Sequence, residues 1–203
     1  GDKPYRYNWQ SPILLSSHNQ DILYLGSNFL HRSMNQGDTW TAISPDLTQG
    51  GKQGNVAFGT LTTISESPFE FGVLYTGSDD GLVQFSNNGG ANWKVISTTL
   101  PQNLWVSRVV ASAHKKERVY VTLNGYRNDD FTSYVYVSED AGQTWKSIAN
   151  NLPSSPVNVI IEDSVLDSVL YVGTDNGLYI SVDGGASWQD FSNGMPPVAV
   201  HDL

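Results

Sequence analysis

The chain of 203 residues carries 20 Asp and Glu against 11 Lys and Arg, a formal net charge of −9, with 39% hydrophobic residues. This is the composition of a folded globular protein with enough chain to bury a sizeable core. The acidic balance argues against nucleic acid or an anionic membrane as the main partner, because both require a basic face.

The absence of cysteine excludes disulfides, thiol catalysis and thiolate metal sites. No apolar run approaches the length of a membrane span and no signal peptide is visible, so we expect no membrane insertion. The histidines show no metal-ligand spacing, and we predict neither a metal nor another cofactor. They are His18, His31, His114 and His201.

Short runs rich in Val, Ile, Thr and Tyr recur in groups of four along the chain, separated by turn residues. They predict an all-β protein built from four-stranded antiparallel blades, with strands A to D in chain order, as in a β-propeller. The predicted blades span about 7–46, 58–99, 104–151 and 156–193, and residues 196–203 match the first strand of an unfinished further blade.

The turn between strands C and D repeats as "SMNQGDTW", "SNNGGANW", "SEDAGQTW" and "SVDGGASW". Ser and Asx side chains can bond nearby backbone N–H groups, Gly supplies positive φ, and Trp can bury a flat surface beside its own sheet. Because Asn replaces Asp in two boxes, the position needs no charge, and we interpret the boxes as structural. Their residues are Ser33, Asn35, Gly37 and Trp40; Ser86, Asn88, Gly90 and Trp93; Ser138, Asp140, Gly142 and Trp145; and Ser181, Asp183, Gly185 and Trp188.

These boxes resemble Asp-box (BNR) repeats, found in sialidases, xyloglucanases, sortilin-type receptors and photosystem assembly factors. Segments such as "GYRNDDFTSYVYVSEDAGQTW" and "GLYISVDGGASW" resemble bacterial sortilin-like Asp-box proteins, and the resemblance covers essentially the whole chain. Members of that group are often labelled glycosyl hydrolase because they share the repeat. The resemblance implies a propeller that continues beyond this chain and an exported location, periplasmic or extracellular.

A propeller buries its blade faces by closing into a ring. We therefore expect the open faces of this chain to be covered by the rest of a longer parent chain or by a second copy in a homodimer. Closure of the four blades on themselves is the alternative.

Ligand sites usually lie among the longer loops, which here are the predicted B–C and D–A connections. The third B–C loop, "LNGYRNDDFTS", is longer than a hairpin needs, and its mixture of aromatic, amide and charged groups suits sugar or peptide recognition. Packing on the next blade is an equally good interpretation of this loop. The ligand-binding candidates are Tyr126, Arg127, Asn128, Asp129, Asp130 and Phe131, with Trp105 in a D–A loop. Burial in the core is the expectation for Trp105, and for Tyr7 and Trp9 at the equivalent place in the first blade.

Three functions are open. A non-catalytic module that binds glycan, peptide or protein is favoured, because no catalytic constellation is evident. A glycoside hydrolase of the xyloglucanase type needs two carboxylates about 5–10 Å apart, with Asp79, Asp80, Asp129 and Asp130 as candidates. Asp79 and Asp80 share the tight turn "GSDDGL", where we expect their side chains to diverge. A protein assembly factor without chemistry is the third possibility.

Overall fold

The computed structural model describes residues 4–54, 56–194 and 196–203. The chain divides into two compact units, Gly1–Val106 (unit 1) and Ser107–Leu203 (unit 2). Each unit is built around two four-stranded sheets, and in every sheet the strands follow one another in chain order. The prediction of an all-β protein with four-stranded antiparallel blades is confirmed.

The first two sheets, blades 1 and 2, consist of short strands joined by tight turns. Blade 1 contains β1 (Ile13–Leu15), β2 (Leu23–Gly26), β3 (Leu30–Ser33) and β4 (Thr41–Ala42). Blade 2 contains β5 (Leu61–Glu66), β6 (Leu74–Ser78), β7 (Val83–Ser86) and β8 (Lys94–Val95).

The third and fourth sheets, blades 3 and 4, repeat this plan. Blade 3 contains β9 (Trp105–Ala111), β10 (Val119–Asn124), β11 (Tyr134–Ser138) and β12 (Lys146–Ser147). Blade 4 contains β13 (Val157–Glu162), β14 (Leu170–Thr174), β15 (Gly177–Ser181) and β16 (Gln189–Asp190).

Each unit has its own hydrophobic core, made of residues that alternate along the strands of two blades. In unit 1 the buried Tyr24 and Leu30 of blade 1 belong to the same cluster as Leu61 and Leu74 of blade 2. Alternation at period two places every second side chain of a strand on one face, so each core face comes from the strand pattern itself. The packing of neighbouring blades is therefore what stabilises each sheet.

The Asp boxes form the C–D turns, as predicted. In each box the Ser hydroxyl accepts a hydrogen bond from the Gly amide at 2.8–3.0 Å, and it donates to the Asx side chain. All four box glycines have φ between +86° and +95°, where a side chain would be strained. A Cβ on Gly185 would also lie 2.9 Å from Ile148 of the preceding blade, so glycine serves both the turn and the blade contact.

Two box tryptophans, Trp93 and Trp188, contact the preceding blade of their own unit, which differs from the expected packing beside their own sheet. Trp188 donates from Nε1 to the Ile148 carbonyl of blade 3 at 2.7 Å, and Trp93 reaches the Ile43 carbonyl of blade 1 at 3.4 Å. The exposed fraction is 4% for Trp188 and 38% for Trp40. Burial of the box tryptophan therefore depends on the presence of a preceding blade.

A buried carboxylate joins the two blades of each unit. Glu66 accepts hydrogen bonds from the Ser16 hydroxyl at 2.6 Å and the Tyr24 hydroxyl at 2.8 Å, both from blade 1. In unit 2, Glu162 accepts hydrogen bonds from Ser112 and Tyr120 of blade 3 in the same way. All these residues recur after 96 positions, so these bridges repeat with a period of two blades.

Two box aspartates carry strongly shifted pKa values. Hydrogen bonds from Thr144 lower the pKa of Asp140 from 3.8 to about 2, and hydrogen bonds from Ser187 do the same for Asp183. Since the folded-state pKa lies below the unfolded value, the associated stabilisation is fully present above about pH 4. It is lost as the pH falls through about 2.

We expect the Asp boxes of unit 2 to respond to acid and the Asn boxes of unit 1 to remain unaffected. Between pH 4 and pH 2 the backbone amide resonance of Ser187, which donates to Asp183, should shift as that carboxylate is protonated. The amide of Asn92 donates to the uncharged Asn88 side chain and should stay constant. NMR titration of both amides is the measurement, and Asp183→Asn should abolish the Ser187 response. Equal shifts at both amides would contradict the assignment.

The segment 196–203 contains no strand, but its backbone has a recognisable partner. The Val200 amide donates to the Thr174 carbonyl at 2.9 Å, as the Leu61 amide at the start of blade 2 donates to the Ser27 carbonyl at 2.7 Å. This position next to β14 is the one that a first strand of a following blade would take. The interpretation of 196–203 as the start of a further blade stays a prediction.

Candidate functional site

The longest B–C connection is the loop 125–133 between β10 and β11, in unit 2. It opens with a 3₁₀ turn, Tyr126–Asn128, in which the Asn128 amide donates to the Gly125 carbonyl at 2.8 Å. Asp129 follows in the left-handed region with φ of +55°. This short turn directs the next few side chains outward, and residues 126–129 are all exposed.

Two aromatic side chains stand exposed on this loop. The exposed fraction is 60% for Tyr126 and 49% for Phe131. Their ring centroids are 6.2 Å apart and the rings meet edge to face at 83°, a favourable geometry for an aromatic pair. The loop therefore offers a preformed apolar surface beside the exposed polar residues Arg127, Asn128 and Asp129.

The loop is held at its C-terminal end by side-chain hydrogen bonds. Asp130 accepts from the Thr132 amide at 3.0 Å and from the Tyr134 hydroxyl at 2.9 Å. Bonds from Thr132 and Tyr134 lower the pKa of the Asp130 carboxyl, so it is ionised at neutral pH. The Ser133 hydroxyl lies 2.7 Å from the Pro153 carbonyl, which ties the loop to the following D–A connection.

At its N-terminal end the loop is held by Asn124, the last residue of β10. The Asn124 Oδ1 atom accepts from the Tyr126 amide at 2.9 Å, while its Nδ2 atom donates to Asn158 Oδ1 at 2.9 Å. Asn158 donates in turn to Asp175 Oδ1 at 2.8 Å. Asn124, Asn158 and Asp175 are not among the site residues predicted from the sequence, although Asn158 stands out as a polar residue in the apolar strand "VNVIIE".

Asp79 and Asp80 lie in unit 1 and are structural acceptors, 4% and 2% exposed. The Asp79 carboxylate binds the Thr60 amide at 2.9 Å and the Thr60 hydroxyl at 2.7 Å. Asp80 instead accepts from the Gln49 amide at 2.7 Å and from the Ser78 hydroxyl. The two side chains diverge, as the tight turn led us to expect.

The pKa of Asp80 is raised by burial, and the hydrogen bonds from Ser78 and Gln49 partly oppose this shift. A carboxyl with a raised pKa suits a general acid, but this one is enclosed by its own turn and loop. Asp79 and Asp80 belong to unit 1, and Asp129 and Asp130 belong to unit 2. A catalytic carboxylate pair across a cleft would need one residue from each unit. This pairing therefore stays a hypothesis.

The expected burial of three aromatic residues is wrong in two cases. Trp9 is 75% exposed and Tyr7 is 47% exposed, so neither belongs to the core. They precede β1, and Asn8 between them is buried and donates to the Thr60 hydroxyl at 2.9 Å. Trp9 lies in a turn in which the Gln10 amide donates to Asn8 Oδ1 at 3.2 Å, and its side chain faces solvent. Trp105, the first residue of β9, is half-buried.

No group of three or more His, Asp or Glu side chains suited to a metal ion occurs among the described residues. Two of the histidines are engaged in blade contacts. His18 Nε2 lies 2.8 Å from the Ser67 carbonyl, and His114 Nε2 lies 2.7 Å from the Asp163 carbonyl. In the part of the chain that the structure covers, no helix is long and apolar enough to span a membrane.

No family model and no curated protein matches this chain. Solved structures do match it. An ancestral GH74 enzyme has a TM-score of 0.70 at 18% identity, over 93% of this chain and 25% of its own. The GH74 xyloglucanase from Xanthomonas campestris has a TM-score of 0.69 at 17% identity. The match covers 95% of this chain and 31% of the xyloglucanase chain. YCF48 from Cyanidioschyzon merolae has a TM-score of 0.58 at 16% identity, and the match covers 93% of this chain and 56% of the YCF48 chain.

These matches show the fold of the Asp-box β-propeller proteins, as the sequence resemblance implied. The chain spans about a quarter to a third of the two GH74 chains and just over half of YCF48. The described residues thus form four blades of the propeller fold that GH74 enzymes and YCF48 share. The sortilin-like relationship and the exported location stay predictions.

Proposed function

We propose that the chain is a non-catalytic Asp-box propeller module that binds a neutral glycan on the B–C loop of blade 3. The observation that carries the proposal is the exposed, edge-to-face pair formed by Tyr126 and Phe131. A ligand-binding surface needs apolar area together with a few placed polar groups, and this loop supplies both within the six residues 126–131.

The chemistry of a sugar matches these side chains. The C–H face of a pyranose ring packs on an aromatic ring, as other apolar groups do. Its hydroxyl groups can accept from Arg127, donate to Asp129, and both donate to and accept from Asn128. The hydrogen bonds at both ends of the loop reduce the ordering cost on binding, because they hold the backbone before the ligand arrives.

The acid groups support binding without hydrolysis. A glycoside hydrolase needs one carboxylic acid with a raised pKa as proton donor beside a second, ionised carboxylate. On the loop, the pKa of Asp130 is lowered by its hydrogen bonds. The candidate with a raised pKa, Asp80, is 2% exposed. Hydrolysis of the xyloglucanase type is the alternative function that the experiment below tests directly.

We expect oligosaccharide binding to depend on the aromatic pair. Tyr126→Ala and Phe131→Ala should each weaken binding of a xyloglucan oligosaccharide, or of another neutral oligosaccharide found on a glycan panel, about tenfold or more. Trp9→Ala removes a still more exposed aromatic residue from unit 1 and is the matched control, with no change expected. Calorimetric titration measures the affinities, and a reducing-end assay on the same mixtures measures hydrolysis.

Binding without release of reducing ends supports the proposed module. Release of reducing ends that is abolished by Asp129→Asn or Asp130→Asn would contradict the proposal and show that the protein is a glycoside hydrolase. Absence of both signals would contradict glycan recognition and favour a protein partner, as for an assembly factor.

A further inference from the structure

Three hydrogen bonds connect the fourth blade to Tyr126, the second residue of the loop 125–133. They run from the Tyr126 amide to Asn124 Oδ1 at 2.9 Å, from Asn124 Nδ2 to Asn158 Oδ1 at 2.9 Å, and from Asn158 Nδ2 to Asp175 Oδ1 at 2.8 Å. We call this series the Asp175 relay. All four residues lie in unit 2, and the relay crosses from strand B of blade 3 to strand A and the B–C turn of blade 4.

The direction of the relay is set at Asp175. An ionised carboxylate only accepts hydrogen bonds, so Asn158 must present its Nδ2 atom to Asp175 and its Oδ1 atom to Asn124. Asn124 must then present its Nδ2 atom to Asn158, which leaves its Oδ1 atom to accept from the Tyr126 amide. A reversal of either amide would place two donors or two acceptors against each other.

Burial makes this orientation costly to abandon. Asn158 is 9% exposed, so water has little access to replace a lost partner. Asp175 is half-buried, and its backbone amide is fixed by a bond to the Pro156 carbonyl at 3.1 Å. The acceptor at the end of the relay is therefore held in place by its own blade.

A related series in unit 1 ends on the equivalent residue, Asp79, 96 positions earlier. There Asn8 donates to the Thr60 hydroxyl at 2.9 Å and that hydroxyl donates to Asp79 Oδ2 at 2.7 Å. This series holds the segment before β1, whereas the relay of unit 2 holds a loop. A carboxylate at this turn position thus fixes polar groups of the neighbouring segment in both units.

We propose that Asp175 is a positioning residue for the loop 125–133, acting through Asn158 and Asn124 to hold Tyr126 in place. The contribution to ligand binding rests on the proposed function, whereas the effect on the loop backbone does not. Asp175 lies outside the loop itself.

The test is the exchange rate of the Tyr126 backbone amide, measured by NMR in the full chain. In Asp175→Ala the Asn158 amide group loses its acceptor and its fixed orientation, and we expect Tyr126 exchange to become about tenfold faster. Asn158→Leu should have the same effect because it interrupts the same series. Asp175→Asn retains a carbonyl oxygen at this position and should restore exchange to near the wild-type rate.

Asn176→Ala is the matched control, since Asn176 is the other residue of the same turn and is exposed. An unchanged Tyr126 rate in Asp175→Ala would overturn the proposal. Equal acceleration in Asn176→Ala would also overturn it, because the effect would then come from the turn. If the wild-type protein binds the xyloglucan oligosaccharide, Asp175→Ala should weaken that affinity about threefold to tenfold. Absence of binding in the wild type would contradict the proposed function, and the exchange rates would still decide the relay.

Discussion

Replacement of Trp188 by Ala is expected to destabilise unit 2 by about 3–5 kcal/mol, the range for truncating a fully buried aromatic side chain. Trp188 is 4% exposed and belongs to the cluster that contains Val135, Ile148 and Ile160. The substitution opens a cavity between blades 3 and 4 and removes the Nε1 hydrogen bond to the Ile148 carbonyl. Chemical denaturation followed by far-UV circular dichroism measures the loss.

Trp40 provides the control, because it occupies the same position of another Asp box. At 38% exposure it buries less surface than Trp188, so Trp40→Ala should cost less, about 1–2 kcal/mol. Similar losses for the two variants would show that the tryptophan stabilises its own turn. The contact with the preceding blade would then not be the source of the effect.

Replacement of Glu162 by Ala is expected to cost about 3 kcal/mol. The side chain is 2% exposed, and its carboxylate accepts from the Ser112 hydroxyl at 2.7 Å, the Ala113 amide at 2.8 Å and the Tyr120 hydroxyl at 2.9 Å. Loss of the carboxylate leaves these donors without their acceptor between blades 3 and 4.

Glu139→Ala is the control for this prediction. Both glutamates contact Arg118, but the Glu139 side chain is 56% exposed, and an exposed ion pair contributes about 0–1 kcal/mol. Thermal and urea unfolding of both variants separates the two cases. A loss below about 1 kcal/mol for Glu162→Ala would show that water replaces the carboxylate, and would contradict its role as a bridge between blades.

Such bridges give the molecule a longer repeat than its Asp boxes suggest. Glu66 and Glu162 join blades 1 to 2 and 3 to 4, and His18 and His114 bond carbonyls of the following blade in the same two pairs. The repeat of these contacts after 96 residues coincides with the division into two units. These contacts therefore link the two blades within each unit.

The sequence by itself determined the strands, their grouping and the C–D turns. These features depend on local patterns: alternation of apolar residues, glycines at positive φ, and Ser and Asx residues that bond their own turn. It also located the loop 125–133, because nine residues between two strands exceed what a hairpin needs.

Only the tertiary structure decided which polar and aromatic residues face another blade. Trp9 resembles a core residue in sequence, yet it is exposed, whereas Asn8 beside it is buried. Asp79 and Asp175 occupy matching turns, and only the contacts show that they orient Asn8 and Asn124 through Thr60 and Asn158. The contacts between blades join partners 34 and 52 residues apart. Local sequence patterns do not indicate a partner at that distance, because only the packing of one blade on the next brings the two residues together.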